Sequence, residues 1–276
     1  MEWHSKIAGE TPAVPVKKAG ETPAVPVKDD AGLTDFQYPG RELEAMAQAS
    51  NYHRWIIRLF APYLGQHLVE VGAGLGSFSE LILENHQCQT LSLVEPSAEM
   101  YQQLAVNASS LTRNLPGTRV NTHHANFVAA APLIKKQQAP DSIIYVNVLE
   151  HIADDELELE TMQQTLAPNG RVFLFVPALP WLYGAFDERV GHVRRYTKRA
   201  LEKKLKQSGF KPLMSTYFDS VGIAPWWIKY CLFRSEKMEP AGVRFYDRFV
   251  VPAVSRMESV IRPPLGKNII VVAEKN

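Results

Sequence analysis

Cysteine is scarce in this chain. Two residues in 276, Cys88 and Cys231, cannot build a disulfide framework, and their separation lacks the paired spacing of a zinc finger. An excess of either charge is also missing. Thirty lysines and arginines (30) face 29 aspartates and glutamates, for a formal net charge of +1, which argues against nucleic acid as the main partner. Long apolar runs are lacking too. The strongest near the C-terminus, residues 269–273, falls far short of the ~20 residues of a spanning helix, so no stable membrane insertion is expected. The opening MEWHSKIAGE has no apolar signal-peptide core. These gaps point to a cytoplasmic protein. Hydrophobic residues make up 46% and charged residues 21%, which excludes global disorder. The length suits one domain of roughly 200–250 residues plus a tail.

The tail has its own signature. AGETPAVPVK at residues 8–17 recurs at 19–28, each copy with two prolines. Proline removes backbone donors and favours extended chain, and two ten-residue copies cannot bury a core. Residues 1–37 therefore read as a flexible Pro-rich tail. A docking peptide is one role for it; a translated repeat added to a complete domain is the plainer reading and the one preferred. The folded domain is expected over 38–276. Residues 41–63 carry Leu43, Met46, Ala47, Trp55, Ile56, Leu59 and Phe60 at helical spacing, closed by Pro62 and Gly65.

Beyond residue 66, short β-like runs alternate with helical patterns. Strands are expected at 67–71, 90–95, 119–124, 142–147, 171–176, 211–218 and 268–273. Helices are expected at 77–84, 98–109, 155–166 and 198–207. This alternation predicts an α/β fold, a doubly wound Rossmann-like parallel sheet covered on both faces. The last strand follows another strand without βαβ spacing, which suggests an antiparallel edge. Residues 221–264, rich in Trp226, Trp227, Tyr230, Phe233, Phe245, Tyr246 and Phe249, read as a helical, amphipathic lid insertion.

The most informative stretch is Leu68-Val69-Glu70-Val71-Gly72-Ala73-Gly74-Leu75-Gly76. It leaves a buried strand, turns on glycines and enters a helix, whose free N–H groups and close backbone suit a ligand. The dinucleotide spacing G-x-G-x-x-G fails, because its third glycine would fall on Ser77; this disfavours an NAD-type oxidoreductase. Glu95 ends the second strand, 23 positions after Gly72, where a carboxylate can accept from both hydroxyls of a ribose.

On these motifs the sequence resembles the class I S-adenosylmethionine-dependent methyltransferases of the bacterial small-molecule type. Asp141-Ser142-Ile143-Ile144-Tyr145-Val146-Asn147-Val148-Leu149-Glu150-His151-Ile152 is similar to that family's fourth-strand motif, and Leu166-Ala167-Pro168-Asn169-Gly170-Arg171-Val172 to the turn before its fifth strand. The resemblance implies a seven-stranded sheet with one reversed edge strand, and S-adenosylmethionine as cofactor. It implies that Glu70 lies under the methionine end, that Gly72, Ala73, Gly74 and Gly76 pack against the cofactor, and that Glu95 holds the ribose. Asn126 stands where the family usually has an aspartate on the adenine amino group; its carbonyl can still accept that bond. Phe127 would stack on the adenine, and Asn147, Val148 and Leu149 would line the site. Tyr52 either caps the cofactor or packs in the core.

Methyl transfer needs a positioned nucleophile, a route for its proton and exclusion of water. His151, after the fourth strand, and His192, in Gly191-His192-Val193-Arg194-Arg195-Tyr196, are the candidate catalytic histidines. For His151 the alternative is shaping the cofactor pocket. For His192 it is anchoring a loop in which Asp187 pairs Arg194 or Arg195. A similar Gly-His-x-Arg-Arg-Tyr run recurs in a bacterial subgroup of the family. Tyr183, Phe186, Arg195, Tyr196, Trp226 and Trp227 are the candidate substrate contacts, with the aromatic insertion as a hydrophobic lid. The basic stretch 189–211 reads as a solvated face. No cluster has metal-ligand spacing, so no metal is expected. The reading is methylation of oxygen or nitrogen on a small, lipophilic or aromatic secondary metabolite by a monomer or homodimer. The rivals are a non-catalytic methyltransferase-fold subunit and the oxidoreductase.

Overall fold

The structure, a computed structural model, describes residues 49–114 and 117–276. The repeat, the domain start at Tyr38 and the first part of the 41–63 segment lie outside these residues. Helix α1 (Ser50–Phe60) leads into β1 (His67–Val71), α2 (Ser77–Asn85), β2 (Thr90–Val94), α3 (Ala98–Asn114), β3 (Arg119–His123), α4 (Phe127–Gln137), β4 (Ser142–Val146), α5 (Asp155–Thr165) and β5 (Arg171–Pro177). Then follow α6 (Ala185–Arg189), α7 (Lys198–Gln207), β6 (Phe210–Phe218) and, last, β7 (Asn268–Lys275). Between β6 and β7 the chain is helical: α8 (Ile223–Trp226) runs into a π turn (Trp227–Leu232), and α9 (Pro240–Phe245) passes through a second π turn (Tyr246–Val250) into α10 (Val251–Val260).

The seven strands form one sheet in the order β3-β2-β1-β4-β5-β7-β6. β1 to β5 pair in parallel, while β7 runs against both β5 and β6. The antiparallel edge is thus built as a pair, with the reversed strand one place in and β6 at the rim.

Period-two alternation divides the sheet between two cores. Val69, Val71, Ile143, Val172 and Leu174 face α4, α5 and α7, whereas Leu68, Ile144, Phe173 and Phe175 face α1, α2, α3 and α10. Helix α4 was not anticipated from the sequence. Asn126 caps it by accepting from the Ala129 N–H, and Phe127, Ala130, Ala131 and Ile134 give it an apolar face at helical spacing. Pro132 inside it obscures the pattern. Among the described residues, no helix is long and apolar enough to cross a membrane.

Tyr52 belongs to the second core. Its ring meets Trp55, Phe175 and Phe218 edge-on, and its hydroxyl lies 3.1 Å from both Asp219 Oδ2 and Asn268 Oδ1. Of its two roles, packing is the one the structure displays.

Candidate active site

Parallel strands deliver their carboxyl ends to one edge of the sheet, so the loops after β1 to β5 gather there. The first loop is tied down at once: the N–H groups of Gly72 and Ala73 both donate to the Val94 carbonyl, at 2.8 and 3.1 Å. Gly72 and Gly74 hold φ of 69° and 57°. A Cβ on Gly72 would stand 2.5 Å from Val148 Cγ2, while one on Gly74 would meet nothing within 4 Å. Gly72 therefore serves a close approach of β1 and β4 loops, and Gly74 borders open space.

Two buried carboxylates flank this loop. Glu95 accepts from the Gly74 N–H through Oε2 and from the Ser97 N–H through Oε1, each at 2.8 Å. Burial pushes its pKa up, and the two N–H bonds oppose that. Glu70 accepts from Ser79 Oγ at 2.5 Å, and burial pushes its carboxyl up to about 7 against that bond. Among the described residues no lysine, arginine or histidine forms an ion pair with Glu70.

The other predicted cofactor residues divide. Asn147, at a left-handed φ of 54°, and Val148 are half-buried beside the first loop. Ala73 and Leu149 are buried. Phe127 is 1% exposed and edge-on to Tyr145, so its ring fills the core beneath α4 and offers no open face for stacking. The Asn126 carbonyl oxygen is engaged in capping α4.

A second cluster joins the β4 and β5 loops. Leu149–His151 form one 3-10 turn, and the Val193 N–H donates to the Glu150 carbonyl at 2.9 Å, which fixes one loop on the other. His192 Nδ1 lies 2.7 Å from Asp187 Oδ1, and its ring meets His151 edge-on at 4.7 Å. Asp187 also takes Arg195 Nε at 2.9 Å and the Gly184 N–H at 3.0 Å. Burial alone would raise the Asp187 carboxyl, but His192 and Arg195 outweigh it and hold it below the usual range. Burial, aided by His192, lowers His151 to about 3, so His151 is neutral at physiological pH. Burial raises Glu150 to about 7, although His192 pulls it down. With Asp187 on one ring nitrogen, the other nitrogen of His192, 3.8 Å from Glu150 Oε1, can accept a proton.

Of the candidate substrate contacts, Tyr183 and Trp227 are exposed, the latter at 41%, and Trp226 is half-buried. Phe186 is buried against Trp226 and Tyr230. Arg195 lies buried over the Trp226 ring, 4.8 Å from its centroid. The Tyr196 hydroxyl donates to Asp155 at 2.9 Å. These last three brace the loop, as does Asp187, whose partner is Arg195; Arg194 pairs Asp155 instead. The sequence reading passed over Glu150 and Ser79. Glu150 stood within the quoted fourth-strand motif, next to His151, and its full burial was the missing signal.

A doubly wound sheet with a glycine loop after β1, a buried acid after β2 and a reversed β7 is the Rossmann-like methyltransferase architecture. Residues 38–214, more than half of the chain, match the family model described as a methyltransferase domain. The chain belongs to this family, the class I S-adenosylmethionine-dependent methyltransferases. In fold it is similar to a protein solved in complex with the Haloferax volcanii Trm112 methyltransferase activator, with 12% identity and a TM-score of 0.56 over 86% of this chain and 93% of that one. It is likewise similar to a SAM-dependent methyltransferase of Thermotoga maritima, with 15% identity and a TM-score of 0.53 over 86% and 95% of the two chains. A SAM-dependent methyltransferase of Archaeoglobus fulgidus shares 16% identity and a TM-score of 0.50 over 85% and 94%. No curated protein matches the sequence.

Proposed function

We propose that this methyltransferase uses S-adenosylmethionine to methylate oxygen or nitrogen on a small, lipophilic or aromatic secondary metabolite. The observation that carries the cofactor assignment is Glu95, a buried carboxylate at the tip of β2 bonded to the Gly74 N–H of the glycine loop. Each of its oxygens takes one backbone N–H and keeps a lone pair, which suits a ribose diol. Open space at Gly74 admits a ligand against the backbone, and Glu70 supplies a buried acid without a cationic neighbour among the described residues. These features fit the cofactor. When bound, it supplies the methyl group and the thioether leaving group.

The chain's own residues would orient the acceptor and take its proton. Asp187 holds the Nδ1 side of His192, leaving Nε2 as the proton acceptor, with neutral His151 beside it. Large apolar side chains left open on the insertion, such as Phe233 at 75% exposure and Trp227, support the lipophilic class. An acceptor panel in which only proteins or RNA become methylated would overturn that part.

Calorimetric titration with S-adenosylmethionine, S-adenosylhomocysteine and NAD tests the cofactor. Binding of the first two, weakened by Glu95→Ala, is expected; binding of NAD alone, or of nothing, would sink the reading. The glycines give a second check. Gly72→Ala meets both a positive φ and Val148, so it should lower the melting temperature. Gly74→Ala carries only the left-handed cost of about 1–2 kcal/mol, and should show its effect in cofactor affinity.

Glu70 gives the pH dependence. Its folded pKa of about 7 exceeds the ordinary 4.5, so the folded state holds the proton more tightly. The resulting stabilisation is present below pH ~4.5 and lost as pH rises through ~7. Urea unfolding at pH 5.5 and 8 should show Glu70→Gln gaining on the wild type by roughly 2 kcal/mol between the two pH values. An unchanged difference would mean Glu70 stays ionised in the fold.

A further inference from the structure

Glu150 is 0% exposed, and neither of its carboxylate oxygens finds a hydrogen-bond donor on another residue among those described. A buried carboxylate without a donor from the protein is a costly arrangement unless something else sits against it. What faces it is two imidazoles. His192 Nε2 stands 3.8 Å from Glu150 Oε1, and one donor atom each from Glu150, His151 and His192 fall within 4.8 Å of one another.

The proton on His192 decides what this cluster is. Asp187 Oδ1 at 2.7 Å from Nδ1 assigns the N–H there and leaves Nε2, 3.8 Å from Glu150 Oε1, as the lone-pair nitrogen. Asp187 also binds Arg195 Nε at 2.9 Å, so it is fixed from two sides behind the imidazole. A carboxylate behind an imidazole is also the support that metal-bound histidines receive, because it fixes the ring and raises its basicity. His151 is held as well, by a hydrogen bond with the Gly191 backbone. Two donors come from one 3-10 turn and the third from a loop clamped to it by the Val193 N–H, so the set is organised before any ligand arrives.

We propose that Glu150, His151 and His192 form a binding site for a divalent transition-metal ion. Two imidazoles and one carboxylate suit Zn²⁺, Mn²⁺, Fe²⁺ or Co²⁺ better than Mg²⁺ or Ca²⁺, which prefer all-oxygen shells. The sequence reading expected no metal because it judged linear spacing, and these residues meet only across two loops. Three protein donors leave room for further oxygen ligands. Resting on the methyltransferase reading, this narrows the acceptor to a hydroxylated molecule, whose hydroxyl the ion would hold in place of a bare His192 base.

The test uses the full chain, stripped with a chelator and titrated calorimetrically with ZnCl2, MnCl2, CoCl2 and MgCl2. Saturable one-to-one binding of the transition ions, with Mg²⁺ far weaker, is expected. Glu150→Gln and His192→Gln should each weaken Zn²⁺ binding by roughly 100-fold, and Asp187→Asn by about 10-fold. Melting curves of the metal-free variants establish that they are folded. Should they not fold, Cu²⁺-loaded wild type answers alone, since pulsed electron paramagnetic resonance should detect two imidazole nitrogens on the ion. No transition-ion binding by the wild type, no imidazole nitrogens on Cu²⁺, or a folded Glu150→Gln that binds Zn²⁺ normally would each overturn the site. Titration of the same metal-free protein with S-adenosylmethionine separates the two claims. Cofactor binding without metal binding removes only the metal site; metal binding without cofactor binding leaves the site and removes the methyltransferase reading of it.

Discussion

Glu95→Ala is expected to weaken S-adenosylmethionine binding by roughly 100- to 10,000-fold. A charged acceptor contributes about 1.5–3 kcal/mol per hydrogen bond, and a ribose diol offers two. The same carboxylate also braces the protein, through the N–H groups of Gly74 and Ser97 at 2.8 Å each. Alanine therefore removes a ligand contact and a loop brace together. Glu95→Gln keeps one oxygen acceptor but sets an amide NH2 against the N–H of Gly74 or Ser97, so it should lose about 10-fold in affinity together with one of the two loop bonds, and lower the melting temperature less than alanine does. A melting temperature that falls while affinity holds in both variants would reduce Glu95 to a loop brace.

Asp187→Ala should be the more damaging substitution for the fold. Arg195, whose side chain is 1% exposed, would remain buried without its carboxylate, and His192 would lose the partner of Nδ1. Removing one member of a buried pair costs about 3–5 kcal/mol. Urea unfolding should report that loss, and methylation by the folded fraction should drop at least ~100-fold because the imidazole loses its fixed tautomer. The double variant Asp187→Ala/Arg195→Met removes the stranded charge. It should recover most of the stability and none of the activity, which identifies Asp187 as a positioning residue for His192. Recovery of both would show that Asp187 serves only to neutralise Arg195.

The sheet was legible because strands buried on both faces read as unbroken apolar runs: Leu68-Val69, Ser142-Ile143-Ile144-Tyr145-Val146 and Asn268-Ile269-Ile270-Val271-Val272 need no partner to be recognised. Gly72, Gly74 and Glu95 were legible for a related reason, since a loop and a strand tip are fixed by local chain direction. Helix α4 was not, because Pro132 breaks its pattern and Asn126 looked like a ligand contact when its side chain caps the helix. Phe127 was misplaced for the same reason: the helix it begins turns its ring inward. The meeting of Glu150 with His192 lies beyond linear reading, since it depends on how the β4 and β5 loops cross. So does Asp219, a buried carboxylate that gathers Tyr52, Tyr246 and Lys267 from three separate stretches of the chain.

The position of β7 between β5 and β6 sets an order on synthesis. Residues leave the ribosome in sequence, so β5 and β6 emerge with no seam between them, and the whole helical insertion follows before β7 appears. Throughout that interval the outer side of β5 is a bare row of backbone donors and acceptors, the kind of edge on which nascent chains stick to one another. Arrival of β7 fills both gaps in a single event, docking seven residue pairs on β5 from Arg171↔Glu274 to Pro177↔Asn268 and recruiting β6 from the other side. A ribosome stalled within the insertion would hold an open-edged sheet, a natural client for a chaperone, and release past β7 would close it.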